Sequence, residues 1–332
     1  GRESFMENSK QIILNKKYWK GWSLNWNVLS ILAIVVALVE NLLVTSSETV
    51  DNGTYQLFLL IFIGYLFCVY LVGYFLSPRV KIYSGHFAQL NFSLGILLCV
   101  QDLLTEKLGI LTLPYFVSFA QILEQMRYDA ILLFESTISS LILWIISFVI
   151  GTLIGVVLGI LLGRYRQFNY WSFPYLKVIG IIPAAAWMPL TMVIFPNSFL
   201  AEIFLIVLSV WFPVAFMTIG GVQNISPTYF EAAYTLGFNE HKIIQKIVIP
   251  GALPNIFIGI FTSLGLSFTM LVISEMIGAK VGLGWYINWA KSTGNYSQLY
   301  AAIVIMALLF SIIFALINKI QEKALRWRRV AS

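Results

Sequence analysis

Residues 226–250 read SPTYFEAAYTLGFNEHKIIQKIVIP and form a polar, helix-prone segment between two long apolar runs. Ser226 followed by Pro227 predicts the start of a helix, because serine caps helix N-termini and proline fits the first helical position. Gly237 predicts the end of that helix, since glycine tolerates the left-handed conformation that often follows a helix C-terminus. The segment is therefore expected to begin with a short surface helix.

A capping box and a second short helix are predicted within the same segment. Thr228 and Glu231 have the three-residue spacing of a capping box. The second helix should begin near Asn239, and Pro250 should mark the turn back into the membrane. Four apolar residues would share one face of this helix: Ile243, Ile244, Ile247 and Val248.

The composition is that of an integral membrane protein. Of the 332 residues, 59% are hydrophobic and 11% are charged, and the mean hydropathy is +0.84, whereas soluble domains carry about 25% charged residues. Cys68 and Cys99 lie in apolar runs and indicate neither a disulfide framework nor a metal site. His86 and His241 have no nucleophile motif around them, and the sequence contains no P-loop. We therefore predict that the chain is not an enzyme and carries no cofactor.

Eight apolar runs predict eight membrane-spanning helices, since one span needs about 20 residues. The predicted spans are 28–44, 55–76, 88–104, 130–162, 175–195, 199–221, 252–277 and 298–318. The third run is the weakest, because Asn91, Gln101 and Asp102 dilute it. The predicted fold class is an all-α integral membrane protein.

The distribution of charge predicts the orientation of these spans. Most of the 21 Lys and Arg residues fall in the alternate segments that include the N-terminus, and basic segments face the cytoplasm. Both termini and residues 226–250 are therefore expected in the cytoplasm. A basic inner face matches anionic lipid headgroups, so a net charge of +6 requires no nucleic-acid partner. A signal peptide is the alternative for the first span, but no small-x-small cleavage site stands out.

Residues 231–250 resemble the signature of the membrane subunits of bacterial ABC importers. That signature is Glu-Ala-Ala, three residues, Gly, nine residues, Ile, one residue and Leu-Pro, and Ile249 here replaces its Leu. The matching residues are Glu231, Ala232, Ala233, Gly237, Ile247 and Pro250. Farther on, Glu275-Met-Ile-Gly-Ala followed by Gly-Leu-Gly at 282–284 is similar to the nitrate, sulfonate, taurine and bicarbonate branch of these importers.

The resemblance covers about residues 88–325 and implies a type I importer permease core of six helices. Two extra spans at 28–87 precede it, and basic cytoplasmic segments at 1–27 and 326–332 flank these regions. The implied partners are two ATPase subunits that bind ATP and Mg²⁺, a second permease copy, identical or paralogous, and an extracytoplasmic solute-binding protein. The implied location is the bacterial cytoplasmic membrane.

The resemblance also implies that the 228–242 region is the coupling helix, which docks on an ATPase subunit. The residues expected at this contact are Glu231, Ala232, Ala233, Gly237, His241, Ile247 and Pro250. Glu231 and Gly237 would also serve as helix-capping residues, so a purely structural role is the alternative for both.

Three residues are expected along the translocation path. Pro183 and Pro189 interrupt the fifth span, and such breaks often line a cavity. The resemblance implies that this span faces the translocation path, so Trp187 and Met188 between the prolines are predicted to line the path or its gate, with a simple kinked packing helix as the alternative. Glu275 is predicted to face the path or the binding protein. Its alternative is a position at the membrane edge, as for Glu40, Asp102, Glu135 and Glu202.

A row of glycines follows the fourth span at every fourth position: Gly151, Gly155, Gly159 and Gly163. Such a row lets a neighbouring helix approach closely. The predicted role is tight packing within the chain, and sliding between two transport states is the alternative.

The substrate and the energy source have alternatives. No Lys or Arg is predicted within the membrane, so no cationic site for a small anion is visible, although helix N-termini can bind anions. An uncharged, zwitterionic or aromatic solute, such as a vitamin precursor, therefore stays open beside nitrate-like or sulfonate-like anions. An ion-gradient-driven secondary transporter would use Glu275 or Asp102 as an ion site, but it would not need the segment 226–250. A membrane-embedded enzyme is disfavoured by the lack of a His or acid cluster.

Overall fold

The computed structural model describes residues 26–44, 52–75, 78–111 and 114–326, with side chains described outside 73–86. All regular secondary structure in these ranges is helical, as predicted. The basic segment predicted at 1–27 lies outside the described residues except for its last two. Most of the tail at 326–332 and the side chain of His86 also lie outside them.

The described residues form helices of very different length. The α-helices are α1 Trp26–Leu43, α2 Gly53–Phe75, α3 Pro78–Asp102, α4 Phe119–Tyr128, α5 Ala130–Arg164, α6 Arg166–Ile181, α7 Met188–Ile194, α8 Ser198–Gln223, α9 Pro227–Thr235, α10 Glu240–Ile243, α11 Ile249–Gly278, α12 Leu283–Thr293 and α13 Tyr296–Ala324. π-helical turns cover Leu103–Lys107 and Ile244–Val248, and a 3₁₀ turn covers Ala184–Trp187.

Within the described ranges, seven helical stretches are long and apolar enough to cross a membrane. They are Trp26–Leu43, Gly53–Val72, Phe87–Lys107, Ala130–Arg164, Ser198–Gln223, Glu240–Gly278 and Tyr296–Ala324. A bent pair, Arg166–Ile181 with Ala184–Ile194, brings the number to eight if it counts as one span. The chain is therefore an all-α, multi-pass membrane protein whose described residues contain seven or eight candidate spans, in agreement with the predicted fold class.

The predicted fifth span, 175–195, is bent rather than straight. Its two helical parts meet at 86°. Ile182 and Pro183 at the bend have extended ψ angles of 122° and 132°. Proline has no N–H to donate and disfavours the helical conformation of the residue before it, which explains why the first part ends there.

Two compact units divide the chain. Of the described residues, one unit contains those up to Ala130 together with Thr293–Ala301, and the other contains Ile131–Ser292 and those from Ala302 on. The first unit buries Ile34 of α1, Tyr55 and Leu59 of α2 and Leu98 of α3 in one apolar cluster.

A buried polar network connects α1, α2 and α3 in the first unit. Asn41 donates from Nδ2 to Asp102 Oδ2 at 3.3 Å and accepts at Oδ1 from Gln56 Nε2 at 3.1 Å. Asp102 is only 3% exposed. The Asp102 carboxyl therefore does not reach water or headgroups. Its carboxylate has a partner within the chain, and this lowers the free energy cost of burying it.

The core of the second unit centres on Trp144 of α5. Its indole Nε1 donates to the Ser267 hydroxyl of α11 at 2.9 Å, and its ring stacks on Phe268 at a centroid distance of 5.0 Å. Phe268 stacks in turn on Phe310 of α13 at 3.8 Å. These contacts hold α5, α11 and α13 together.

The glycine row of α5 lies against α8. A β-carbon added at Gly151, Gly155 or Gly163 would lie 2.7–2.8 Å from the β-carbon of Val210, Val214 or Val222, respectively. Gly159 faces Thr218 in the same way. The α8 side chains thus fill the notches that the glycines leave. This interlocking favours tight packing over sliding as the role of the row.

Candidate functional site

The helix predicted after Ser226 is α9, and Ser226 is its N-cap with Pro227 in the first turn. The Ser226 side chain makes no capping hydrogen bond to the helix, and its hydroxyl instead donates to the Thr228 hydroxyl at 3.2 Å. The predicted capping box of Thr228 and Glu231 is therefore wrong, because Thr228 lies inside the helix rather than at its N-cap.

Gly237 ends α9 as predicted, in a Schellman motif. Its φ is +70°, in the left-handed region that favours glycine. The Phe238 N–H donates to the Ala233 carbonyl and the Gly237 N–H to the Tyr234 carbonyl, both at 3.0 Å. Phe238 and Ala233 also pack together in an apolar cluster with Ile243. The turn therefore fixes the angle between α9 and the residues that follow.

The second helix begins as predicted but does not end at Pro250. Asn239 is the N-cap of α10, and its side chain accepts from the Lys242 N–H at 3.1 Å. From Glu240 the helix continues through the π turn Ile244–Val248 into α11. The predicted turn at Pro250 is therefore wrong. The wider π turn ends at Val248, two residues before this proline. A regular α-helix would need the N–H that Pro250 lacks.

The predicted coupling residues differ in exposure. Those on the surface are Glu231, Ala232, Gly237 and His241; Ala233 is buried, and Ile247 and Pro250 are half-buried. Three large side chains lie exposed within residues 228–237, Tyr229 at 65%, Tyr234 at 51% and Leu236 at 72%. The α9 surface, which we define as residues 228–237, thus presents an acid and apolar groups together.

Arg164, the last residue of α5, holds α9 and α10 from one side. Its Nη2 donates to the Tyr234 hydroxyl at 2.6 Å and to Glu240 Oε1 at 3.1 Å. The Tyr234 hydroxyl also donates to Glu240 Oε1 at 2.7 Å. The guanidinium lies 4.7 Å from the ring centroid of Phe230. Sequence reasoning missed Arg164, because 70 residues separate it from Tyr234 and no spacing relates the two.

Glu275 is buried and hydrogen-bonded by its own chain. It is 1% exposed; Oε1 accepts from the Ser140 hydroxyl at 2.6 Å, and Oε2 from the Gly284 N–H at 2.8 Å. The Ser140 oxygen accepts in turn from the Leu283 N–H at 2.8 Å. Gly282 has a φ of +150°, and a β-carbon there would lie 2.6 Å from the Glu275 carboxyl. The carboxylate thus holds the segment between α11 and α12 against α5.

Glu202 of α8 is a second buried carboxyl in this unit. It is 2% exposed, and no described residue hydrogen-bonds to its Oε1. This oxygen would lie 2.9 Å from a β-carbon added at Gly278, the last residue of α11. Glu202 is therefore enclosed by the helices.

Trp187 is the last residue of the 3₁₀ turn that follows the bend, and Met188 is the first residue of α7. Met188 is 8% exposed and belongs to the main apolar cluster of the second unit, which also contains Leu205 and Ile206 of α8. Trp187 is half-buried and packs against the same cluster. Among the described residues, no group of three or more His, Cys, Asp or Glu side chains is arranged to hold a metal ion.

These features define a class: a multi-pass helical membrane protein with an exposed, glycine-terminated Glu-Ala-Ala helix in the connection between two spans. Residues 151–327, more than half of the chain, match the family of binding-protein-dependent transport system inner membrane components. The chain belongs to this family.

The relatives by sequence are transport permeases. The chain is 33% identical over 155 residues to a putative aliphatic sulfonates transport permease of Bacillus subtilis. The aligned residues cover 47% of this chain and 56% of that protein. The chain is 31% identical over 150 residues to a nitrate import permease of Leptolyngbya laminosa, covering 45% and 54%. A formylaminopyrimidine transport permease of Halalkalibacterium halodurans is 27% identical, with 47% and 63% covered.

The chain thus spans little more than half the length of the relatives it matches. Among solved structures, it is similar to a chain of the MetNI methionine ABC transporter in an inward-facing conformation, at 21% identity and a TM-score of 0.48. That match covers 60% of this chain and 98% of the other.

Proposed function

We propose that this chain is the permease subunit of an ATP-driven ABC importer and forms the membrane path for a small solute. The observation that carries this proposal is the exposed α9 surface, whose Glu-Ala-Ala helix ends at Gly237 in a Schellman turn. The α9 surface exposes an acid and large apolar side chains that a protein partner would cover, and membership of the family supports the same function.

The proposed partners follow from the importer function. Two separate ATPase subunits bind ATP and Mg²⁺, and the 228–242 region of each permease docks on one of them. The contact residues proposed are Glu231, Ala232, Ala233, Gly237, His241, Ile247 and Pro250. A second permease, identical or paralogous, completes the path, and an extracytoplasmic binding protein delivers the solute. The complex lies in the bacterial cytoplasmic membrane, with both termini of this chain inside.

In this proposal the chain performs no covalent chemistry. Closure of the ATPases moves the docked helices, and the spans alternate between inward-open and outward-open states. Such a cycle requires that the ATPases bind the two states with different affinity. Trp187 and Met188 at the bend, and Glu275 through the segment it holds, would shape the path.

The proposed solute is a small polar molecule. Relatives carry names for aliphatic sulfonates, nitrate and formylaminopyrimidine, which include anions and an aromatic vitamin-precursor-like compound. The proposed core covers residues 88–325 with two extra spans at 28–87. The family match begins at residue 151, and the compact units divide at Ala130. Truncation of the residues before Ala130 would test whether the permease core needs them to fold.

Co-purification tests this function directly. The tagged chain is purified from gently solubilised native membranes, and its partners are identified by mass spectrometry. Recovery of an ATPase and an exported binding protein would support the importer, and the binding protein could then be screened for its ligand. Recovery of the chain alone, with solute uptake in vesicles that needs an ion gradient and no ATP, would favour the secondary transporter instead.

A further inference from the structure

Two side chains of helix α5, one at its C-terminus and one in its N-terminal third, make hydrogen bonds to other elements. Arg164 is its last residue and contacts α9 and α10. Ser140 lies 24 positions earlier and bonds to Glu275 and to the Leu283 N–H. A straight helix of that length spans about 36 Å, at a rise of 1.5 Å per residue. One helix therefore connects the α9 surface with the segment between α11 and α12.

The contact at Arg164 is a closed network rather than a single ion pair. Arg164, Tyr234 and Glu240 each bond to the other two. The Arg164 side chain is 20% exposed and the Glu240 side chain 48% exposed. An isolated pair at this exposure contributes little to stability, but a planar guanidinium that bonds two partners and lies over Phe230 also fixes their direction.

The N-terminal third of α5 is fixed by buried groups. Ser140 is fully buried and Glu275 is 1% exposed, so this contact is protected from competing water. Between Ser140 and Arg164, the glycine row of α5 interlocks with α8. A displacement of the C-terminal end of α5, at Arg164, should therefore move α5 and α8 together as one unit.

We propose that Arg164 is a positioning residue that connects the coupling helix to α5. It holds α9 and α10 in a fixed direction, so that movement of α9 passes along α5 to the Ser140–Glu275 contact in the N-terminal third of that helix. This inference rests on the proposed importer function for its consequence in transport. The connection itself is a property of this chain and can be tested without any partner.

The first test is hydrogen–deuterium exchange on the full chain in lipid nanodiscs. Arg164→Ala should accelerate amide exchange in residues 229–243 about tenfold, while exchange in α8 and α11 stays unchanged. Arg166→Ala is the matched control, because Arg166 is an exposed arginine two positions away. The charge reversal Arg164→Glu with Glu240→Arg should restore most of the protection. Unchanged exchange in 229–243 after Arg164→Ala would overturn the proposal.

The second test measures transport in proteoliposomes that contain the complete transporter, with the ATPase recovered from native membranes. Arg164→Ala should retain the ATPase but lower the solute moved per ATP hydrolysed at least fivefold, whereas Arg166→Ala should not. If the arginine variant fails to fold, Tyr234→Phe replaces it in this test, because it removes only one hydroxyl. It should lower the solute moved per ATP hydrolysed about threefold. An unchanged transport-to-hydrolysis ratio would contradict the positioning role. Failure of the wild-type chain to recover an ATPase would contradict the importer function alone, since the exchange test does not depend on it.

Discussion

The Glu275 carboxylate accepts a hydrogen bond from the Ser140 hydroxyl at 2.6 Å, although 135 residues separate them in the sequence. A carboxylate placed in a membrane span costs about 2.5–3.5 kcal/mol at the bilayer centre and less near the edge, and hydrogen bonds within the chain offset the cost of burying it. Here a hydroxyl and the Gly284 N–H supply these hydrogen bonds. Glu275 is therefore a structural connection between α11, α5 and the start of α12.

Replacing Glu275 with leucine should lower stability more than the same change at an exposed glutamate. Glu275→Leu leaves the Gly284 N–H without its acceptor. A buried donor without a partner costs about 1–3 kcal/mol. Thermal unfolding of the purified chain in detergent would measure the loss. Glu135→Leu, at an exposed position of α5, is the control. Equal unfolding temperatures for the two variants would contradict the compensating role of Gly284.

Gly155→Ala should destabilise the contact between α5 and α8. The added β-carbon would lie 2.7 Å from both the Trp211 carbonyl oxygen and the Val214 β-carbon. Overpacking of this kind costs about 1–3 kcal/mol. Gly220→Ala is the control, because no atom lies within 4 Å of its β-carbon position, and alanine in a helix interior gains about 0.5–1 kcal/mol over glycine. The free energies of unfolding should therefore change in opposite directions. A stable Gly155→Ala variant that transports less would instead favour the sliding role.

The sequence alone predicted most elements whose signals are local. Ser226 and Gly237 bound α9 as expected, because helix caps depend on neighbouring residues. The turn predicted at Pro250 was wrong, because the π turn before it lets the helix continue through a proline, which normally interrupts a helix. Arg164 and the Ser140 partner of Glu275 were out of reach of sequence reasoning. Their contacts join residues 70 or more positions apart, and no periodicity records such pairs.

Charge reversal at Glu231 should weaken ATPase docking without harming the fold. Glu231→Lys alters an exposed side chain of the α9 surface, so stability should change by less than about 0.5 kcal/mol. The amount of ATPase recovered with the tagged chain should fall about tenfold. Glu322→Lys, an exposed glutamate of α13, should leave recovery unchanged. Equal recovery for both variants would remove Glu231 from the docking contact.

Gly237→Pro should also reduce ATPase recovery, but through the direction of α9. Proline cannot adopt a φ of +70° and lacks the N–H that bonds to the Tyr234 carbonyl. The Schellman turn would therefore be lost, and α9 would change its angle to α10. Circular dichroism should show nearly the same helical content as the unaltered chain, since only one turn is affected. Normal recovery of the ATPase by this variant would indicate that docking does not depend on that angle.

Substitutions at the neighbouring residues Trp187 and Met188 should affect transport and stability to different degrees. Met188 is 8% exposed within the main apolar cluster, so Met188→Ala should cost about 2–5 kcal/mol of unfolding free energy. Trp187 is only half-buried, and Trp187→Ala should lose less stability but more transport if its ring lines the path. Uptake per folded protein, measured in proteoliposomes alongside thermal unfolding, compares the two. If Trp187→Ala lowers stability and leaves uptake per folded protein unchanged, Trp187 is a packing residue at the bend, and the path must be lined by other side chains.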